Sequence, residues 1–312
     1  MAYSRSGCLF IIGGGYRPKY MMDEFIRLAG GSDARIVIIP SASSFPVETA
    51  MAMKKEFNSL GCYNIDYTDY NPDDSDEMPE LEKLASADAI FFTGGDQNKL
   101  VHKYYNTRLL QEIRNRYAKG ALIGGTSAGA AIMSRIMLTS YGPDDLEENV
   151  SPEIETGRAV LARGFGFLED YIIDQHFNTR PRRQRLINAV LKNPDKIGIG
   201  IDESTALIVR PNGSFNITGE NTVTLFSNIL HTGSGDFSST AGFYTDKLYP
   251  ENISVSTLKP GKNKRFYLNC YGFYCGDGAA ACRLNGHSSG PNGHSSNDRK
   301  YISADLPKEE LM

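Results

Sequence analysis

The sequence predicts an α/β protein built on a mostly parallel sheet with an antiparallel extension. Through the first two thirds of the chain, short β-rich apolar runs alternate with longer amphipathic stretches, the rhythm of strands joined by crossover helices. After residue 197 this rhythm gives way to strand-like alternation broken by turns. The 312 residues, with 40% hydrophobic content, suffice for one sizeable core, so a single domain is the default.

Taken in order, the apolar runs at residues 8–12, 35–40, 64–68, 87–92 and 121–124 read as strands. Helical patterns at 20–29, 47–60, 80–86 and 100–119 lie between them, and Gly30-Gly31, Gly61 and Gly120 follow three of these as stop signals. Ile199, Ile201, Leu207 and Val209 alternate with small or polar residues, and Pro211-Asn212-Gly213 supplies a turn. Further strand-like runs at 214–218, 222–226 and 264–268 are expected to extend the sheet. From Gly276 onward Gly, Ser and Asn dominate, and Asn285-Gly286-His287-Ser288-Ser289 recurs as Asn292-Gly293-His294-Ser295-Ser296. The expected organisation is therefore a catalytic domain over 1–275 and a surface segment over 276–312 with no domain of its own.

Charge and composition exclude several classes. Thirty-three basic against 37 acidic residues give a net charge of -4, so no global basic field exists to hold nucleic acid. No apolar run approaches the ~18 residues of a membrane span, and no membrane partner is expected. Cys8-Leu9-Phe10-Ile11-Ile12 is too short for the apolar region of a leader, so a cytoplasmic location is expected, with secretion left to a leader removed before residue 1. Five cysteines, an odd number in a long chain, do not form a disulfide framework. Cys270, Cys275, Cys282 and His287 match no trusted zinc spacing, and neither metal nor cofactor is expected.

The run Gly125-Thr126-Ser127-Ala128-Gly129 follows the fifth strand and precedes Ala130-Ala131-Ile132-Met133. A serine on so sharp a strand-to-helix turn takes strained backbone angles, and only small neighbours avoid a clash. Ser127 is thus the candidate nucleophile, at a helix start whose amides and dipole would favour an oxyanion. Thr93-Gly94-Gly95-Asp96-Gln97 follows a neighbouring strand, at the carboxyl edge where open α/β sheets place their sites. The amides of Gly95 and Ala128 are therefore the candidate oxyanion hole.

A serine hydroxyl needs a base, usually histidine. Of the five histidines, His102 falls in a helical pattern, His231 in the later strand-rich region, and His287 and His294 in the repeats. His176, in Asp174-Gln175-His176-Phe177 after the apolar run 171–173, emerges at a strand end and is the candidate base. Glu203, which leaves another apolar strand, is preferred as its orienter, with Asp202 and Asp174 as alternatives that spacing does not rank. Arg180, Arg182, Arg183 and Arg185 crowd the stretch beyond His176. Their planar forks match carboxylates, which points to a substrate rich in aspartyl or terminal carboxylates.

With these motifs in place, the chain resembles the cyanophycinase branch of the S51 serine peptidases, which also holds the aspartyl dipeptidases. The likeness runs collinearly over roughly residues 7–210, through Leu9-Phe10-Ile11-Ile12-Gly13-Gly14-Gly15, Ile39-Pro40-Ser41-Ala42, Phe92-Thr93-Gly94-Gly95-Asp96-Gln97, Gly124-Gly125-Thr126-Ser127-Ala128-Gly129-Ala130, Asp174-Gln175-His176-Phe177 and Gly200-Ile201-Asp202-Glu203. The resemblance implies a flavodoxin-like three-layer sandwich related to class I glutamine amidotransferases, with Ser127, His176 and Glu203 as a triad. It places Gln97, Asp174, Gln175, Arg180, Arg182 and Arg185 on substrate-pocket positions. It also implies hydrolysis of cyanophycin, a polyaspartate backbone carrying arginine on each side-chain carboxyl, to β-aspartyl-arginine dipeptides. An aspartyl dipeptidase stands second. An α/β-hydrolase esterase would place the acid before the histidine, the reverse of the order here, and a binding module would have lost its chemistry. A homodimer is the commonest assembly for such a chain.

Overall fold

The structure, a computed structural model, describes residues 7–68, 70–71, 77–139, 160–180, 182–228, 253–260, 266–269 and 272–275. In chain order the elements are β1 (Leu9–Ile12), α1 (Lys19–Ala29), β2 (Ile36–Ile39), α2 (Pro46–Ser59), β3 (Ile65–Tyr67), α3 (Met78–Ala85), β4 (Ala89–Phe92), α4 (Gln97–Tyr104), α5 (Arg108–Ala118), β5 (Leu122–Thr126) and the one-turn α6 (Ala128–Ala131). Then come β6 (Ile136–Leu138), β7 (Leu161–Arg163), β8 (Tyr171–Gln175), α7 (Arg183–Lys192), β9 (Ile197–Ile201), β10 (Thr205–Val209), β11 (Ser214–Gly219), β12 (Val223–Asn228), β13 (Ile253–Leu258), β14 (Phe266–Asn269) and β15 (Gly272–Cys275). Residues 276–312 and the side chains of the Cys270, Cys275, Cys282 and His287 group lie outside the described residues.

Among the described residues the main sheet has nine strands, ordered β15-β14-β11-β10-β1-β5-β4-β2-β3. Strands β1 to β5 run parallel, and β10 pairs antiparallel with β1. Their side chains alternate between faces, as a period of two requires. Phe10, Ile12, Ile36, Ile38 and Phe91 pack with Met22 and Phe25 of α1 and Phe57 of α2 in one core. Leu9, Ile11, Val37, Ile39 and Phe92 face the other, with Leu100, Leu110 and Ile113 from α4 and α5. Burial on both faces explains why these strands read as unbroken apolar runs. The result is a three-layer α/β sandwich.

Two expectations need correction. The pattern over 100–119 is two helices, because Asn106 takes φ 64 and the Thr107 hydroxyl accepts a hydrogen bond from Leu110 N, starting α5 afresh. The run at 222–226 does not extend the main sheet: β12 belongs to a second sheet, ordered β13-β12-β9-β8. That sheet lays Ile173, Ile199 and Leu225 into the core shared with Leu9 and Ile11, and its opposite face is covered by α7 through Ile172, Leu186 and Phe226. Among the described residues no helix is long and apolar enough to cross a membrane, and no group of three metal-ligating side chains occurs.

Candidate active site

The carboxyl ends of β1, β4 and β5 converge beside the start of β10, because β10 runs opposite to β1. At the end of β5, Ser127 has φ 55 and ψ -111, a costly conformation for a residue with a side chain. The turn is tight enough that a β-carbon on Gly125 would lie 2.5 Å from the carbonyl carbon of Gly129. The helix that follows is only four residues long, so the expected contribution of a helix dipole shrinks to its first amides.

Sequence reasoning missed what holds the three regions together. Successive carbonyls of the β1 terminus accept from three separate segments: Ile12 from Ser127 N (3.1 Å), Gly13 from His176 N (2.7 Å) and Gly14 from Ser204 N (2.9 Å). Gly14, at φ 103, lies under the imidazole, and Gly15 abuts Glu203. The signal was present in Gly13-Gly14-Gly15 at the end of the first strand, a run that only close backbone approach or positive φ would demand.

The second sheet sets the other two groups. β8 and β9 are parallel with Gln175 opposite Ile201, so His176 and Glu203 leave the sheet at one level. Ser127 Oγ lies 2.7 Å from His176 Nε2, and His176 Nδ1 lies 2.5 Å from Glu203 Oε1. With Nδ1–H donating to Glu203, Nε2 is left to accept the serine proton. The other carboxylates are occupied: Asp202 accepts from the backbone and side chains of Asn178 and Thr222, and Asp174 binds arginines. Burial pushes the His176 pKa below its ordinary value; the Glu203 hydrogen bond opposes this, while the Arg180 and Arg182 charges add to it. The imidazole is therefore neutral near pH 7, as a base must be.

The remaining sequence-predicted residues fall into two groups. Ala128 opens α6, and the Gly94-Gly95 peptide passes beside the serine, with a β-carbon on Gly94 only 3.9 Å from Ser127 Oγ. Gln97, Asp174, Gln175, Arg182 and Arg185 are buried. Arg185 Nε donates to Asp174 Oδ2 at 2.7 Å and its Nη2 to Oδ1, Arg182 Nη1 donates to Gln175 O and Oε1 at 2.7 Å, and Gln97 Nε2 donates to Leu138 O. Arg182 and Arg185 thus have internal acceptors and form a charged network behind the base. Arg180 is exposed.

A cavity of about 310 Å³ opens on Ser127 and His176, walled by Gly14, Gly94 and residues of α2 such as Thr49 and Met53. A strained serine bonded to a neutral histidine, itself bonded to a glutamate, is the equipment of a serine-type hydrolase. The chain belongs to peptidase family S51, whose model matches residues 9–217, and it is a serine peptidase. A cyanophycinase from Geminocystis herdmanii is 36% identical over 72% of this chain and 81% of its own length, and one from Synechococcus elongatus is 34% identical over 70% and 67%. A Peptidase E from a Nostoc species is 28% identical over 66% of this chain and 81% of its own length. The crystal structure of a peptidase from an acI-B1 actinobacterium, 23% identical, shares the fold with a TM-score of 0.56 over 72% of this chain and 91% of that one.

Proposed function

We propose that this peptidase hydrolyses cyanophycin from chain ends to β-aspartyl-arginine through an acyl-enzyme. The observation that carries the chemistry is the unbroken contact from Ser127 Oγ through the His176 ring to Glu203 at the mouth of a cavity. Ser127 Oγ attacks the carbonyl of an aspartyl α-peptide bond while Nε2 takes its proton, and the resulting oxyanion sits against the amides of Gly95 and Ala128. The C–N bond then breaks as His176 returns the proton to the leaving amine. Water, deprotonated by the same nitrogen, cleaves the ester and regenerates the serine. No cofactor or metal enters this scheme.

The polymer is favoured as substrate by the 34–36% identity to relatives named cyanophycinase, against 28% to the one named Peptidase E. Exposed Arg180 is the member of the arginine cluster assigned to substrate carboxylates, and the buried Gln97, Asp174, Gln175, Arg182 and Arg185 support the pocket from behind. Incubation with cyanophycin, β-aspartyl-arginine and an α-aspartyl dipeptide, followed by mass spectrometry, tests the reading. The expected result is dipeptide release from the polymer alone, abolished in Ser127→Ala by several orders of magnitude. Cleavage of only the α-aspartyl dipeptide would instead make the chain an aspartyl dipeptidase, and full activity in Ser127→Ala would overturn the mechanism.

A further inference from the structure

Arg17, just past the glycine run of β1, donates to Glu56 of α2 through Nε at 2.8 Å and Nη2 at 2.5 Å, a bidentate pair. Both side chains are about three quarters hidden, with 23% and 27% of their surface exposed. The pair stands at a junction. It lines the cavity that holds Ser127 and His176, and it also lines a second cavity of about 330 Å³ bounded by Tyr16, Lys19 and Leu60. A partly buried ion pair gains little net stability over an apolar packing of the same volume. Its position between the serine cleft and an adjoining hollow has a chemical use instead.

The geometry points to Arg17 and Glu56 as a specificity-determining pair that recognises a substrate side group carrying a guanidinium. The argument is one of exchange. A free guanidinium entering the pair takes the Glu56 carboxylate in the same bidentate geometry that Arg17 uses now. The displaced Arg17 fork then meets a carboxylate of the same substrate unit, so no charge is left buried and unpaired. A substrate bearing both charges swaps two bonds for two, whereas one lacking the guanidinium leaves Glu56 with Arg17 and gains nothing there. Tyr16, 70% exposed at the rim of the second cavity, offers a ring face on which a planar guanidinium stacks. Neither residue belongs to the catalytic contacts or to the arginine cluster after His176, and neither stands out in the sequence.

This inference rests on the proposed reading of an arginine-bearing aspartyl substrate. The test compares hydrolysis of cyanophycin with that of the same polymer in which citrulline replaces arginine, a neutral side group of nearly equal shape. Wild type is expected to prefer the arginine polymer in kcat/KM. In Glu56→Gln that preference falls at least tenfold, mainly through KM, and Glu56→Asp, which keeps the charge, restores part of it. An unchanged preference in Glu56→Gln, with Ser127 still labelled by a fluorophosphonate at the wild-type rate, overturns the role of the pair while leaving the proposed function standing. A wild-type enzyme that cleaves neither polymer overturns both.

Discussion

Replacing Gly14 with alanine tests whether the β1 terminus sets the catalytic geometry. A β-carbon built there lies 2.5 Å from His176 Nε2 and nearer still to Cε1, while ordinary contacts begin near 3.4 Å. The imidazole must therefore retreat by about 1 Å, which carries Nε2 out of hydrogen-bond reach of a Ser127 hydroxyl now at 2.7 Å. The φ of 103 adds strain of about 1–3 kcal/mol for a residue with a side chain. A misplacement of this size costs about 10²-fold in rate, and complete loss of the base up to ~10⁴-fold. We expect kcat to fall within that interval while thermal unfolding shows a folded protein, measured as dipeptide release alongside the rate of fluorophosphonate labelling at Ser127. A folded Gly14→Ala enzyme within about threefold of wild type in both assays would refute the reasoning.

Other perturbations probe the electrostatics behind the base. The Arg180 charge helps hold the His176 pKa down, and protonation of His176 removes the base, so activity is lost as pH falls through that pKa. In Arg180→Ala the pKa rises and the acid limb of kcat/KM moves to higher pH, whereas Arg180→Lys keeps the wild-type limb; a profile that stays put in the alanine variant would remove Arg180 from the account. Asp174, 1% exposed, accepts from both Arg182 and Arg185, so Asp174→Asn removes the buried carboxylate they share, at a cost of about 3–5 kcal/mol. Urea unfolding measures this, and a loss below ~1 kcal/mol would mean the Asp174 carboxylate does not hold the network together.

Much of the site was legible because its constraints are local. Ser127 stands out because a strained elbow tolerates only small neighbours, and His176 because it follows an apolar run directly. The parallel strands declared themselves for a similar reason, since burial on both faces leaves no polar interruptions. What the sequence concealed is long-range. Periodicity does not say which strand pairs with which, so nothing in the run 222–226 marks it for the second sheet. Arginine chemistry gives the kind of partner but not its source, and Arg185 finds its carboxylate inside the protein, in Asp174. The choice among Asp174, Asp202 and Glu203 likewise depended on which two were already engaged by Arg185, Asn178 and Thr222.

The pairing of β1 with β10, Leu9 against Val209 and Ile12 against Ala206, joins segments about 200 positions apart in the chain. During synthesis the opening glycine run must wait, since two of its three carbonyl partners, His176 and Ser204, have not yet been translated when Ser127 is complete. A nascent chain ending between residues 130 and 175 thus has the nucleophile but neither base nor acid, and one ending between 176 and 202 still lacks Glu203. The three catalytic groups share one frame only once the start of β10 has reached the β1 terminus.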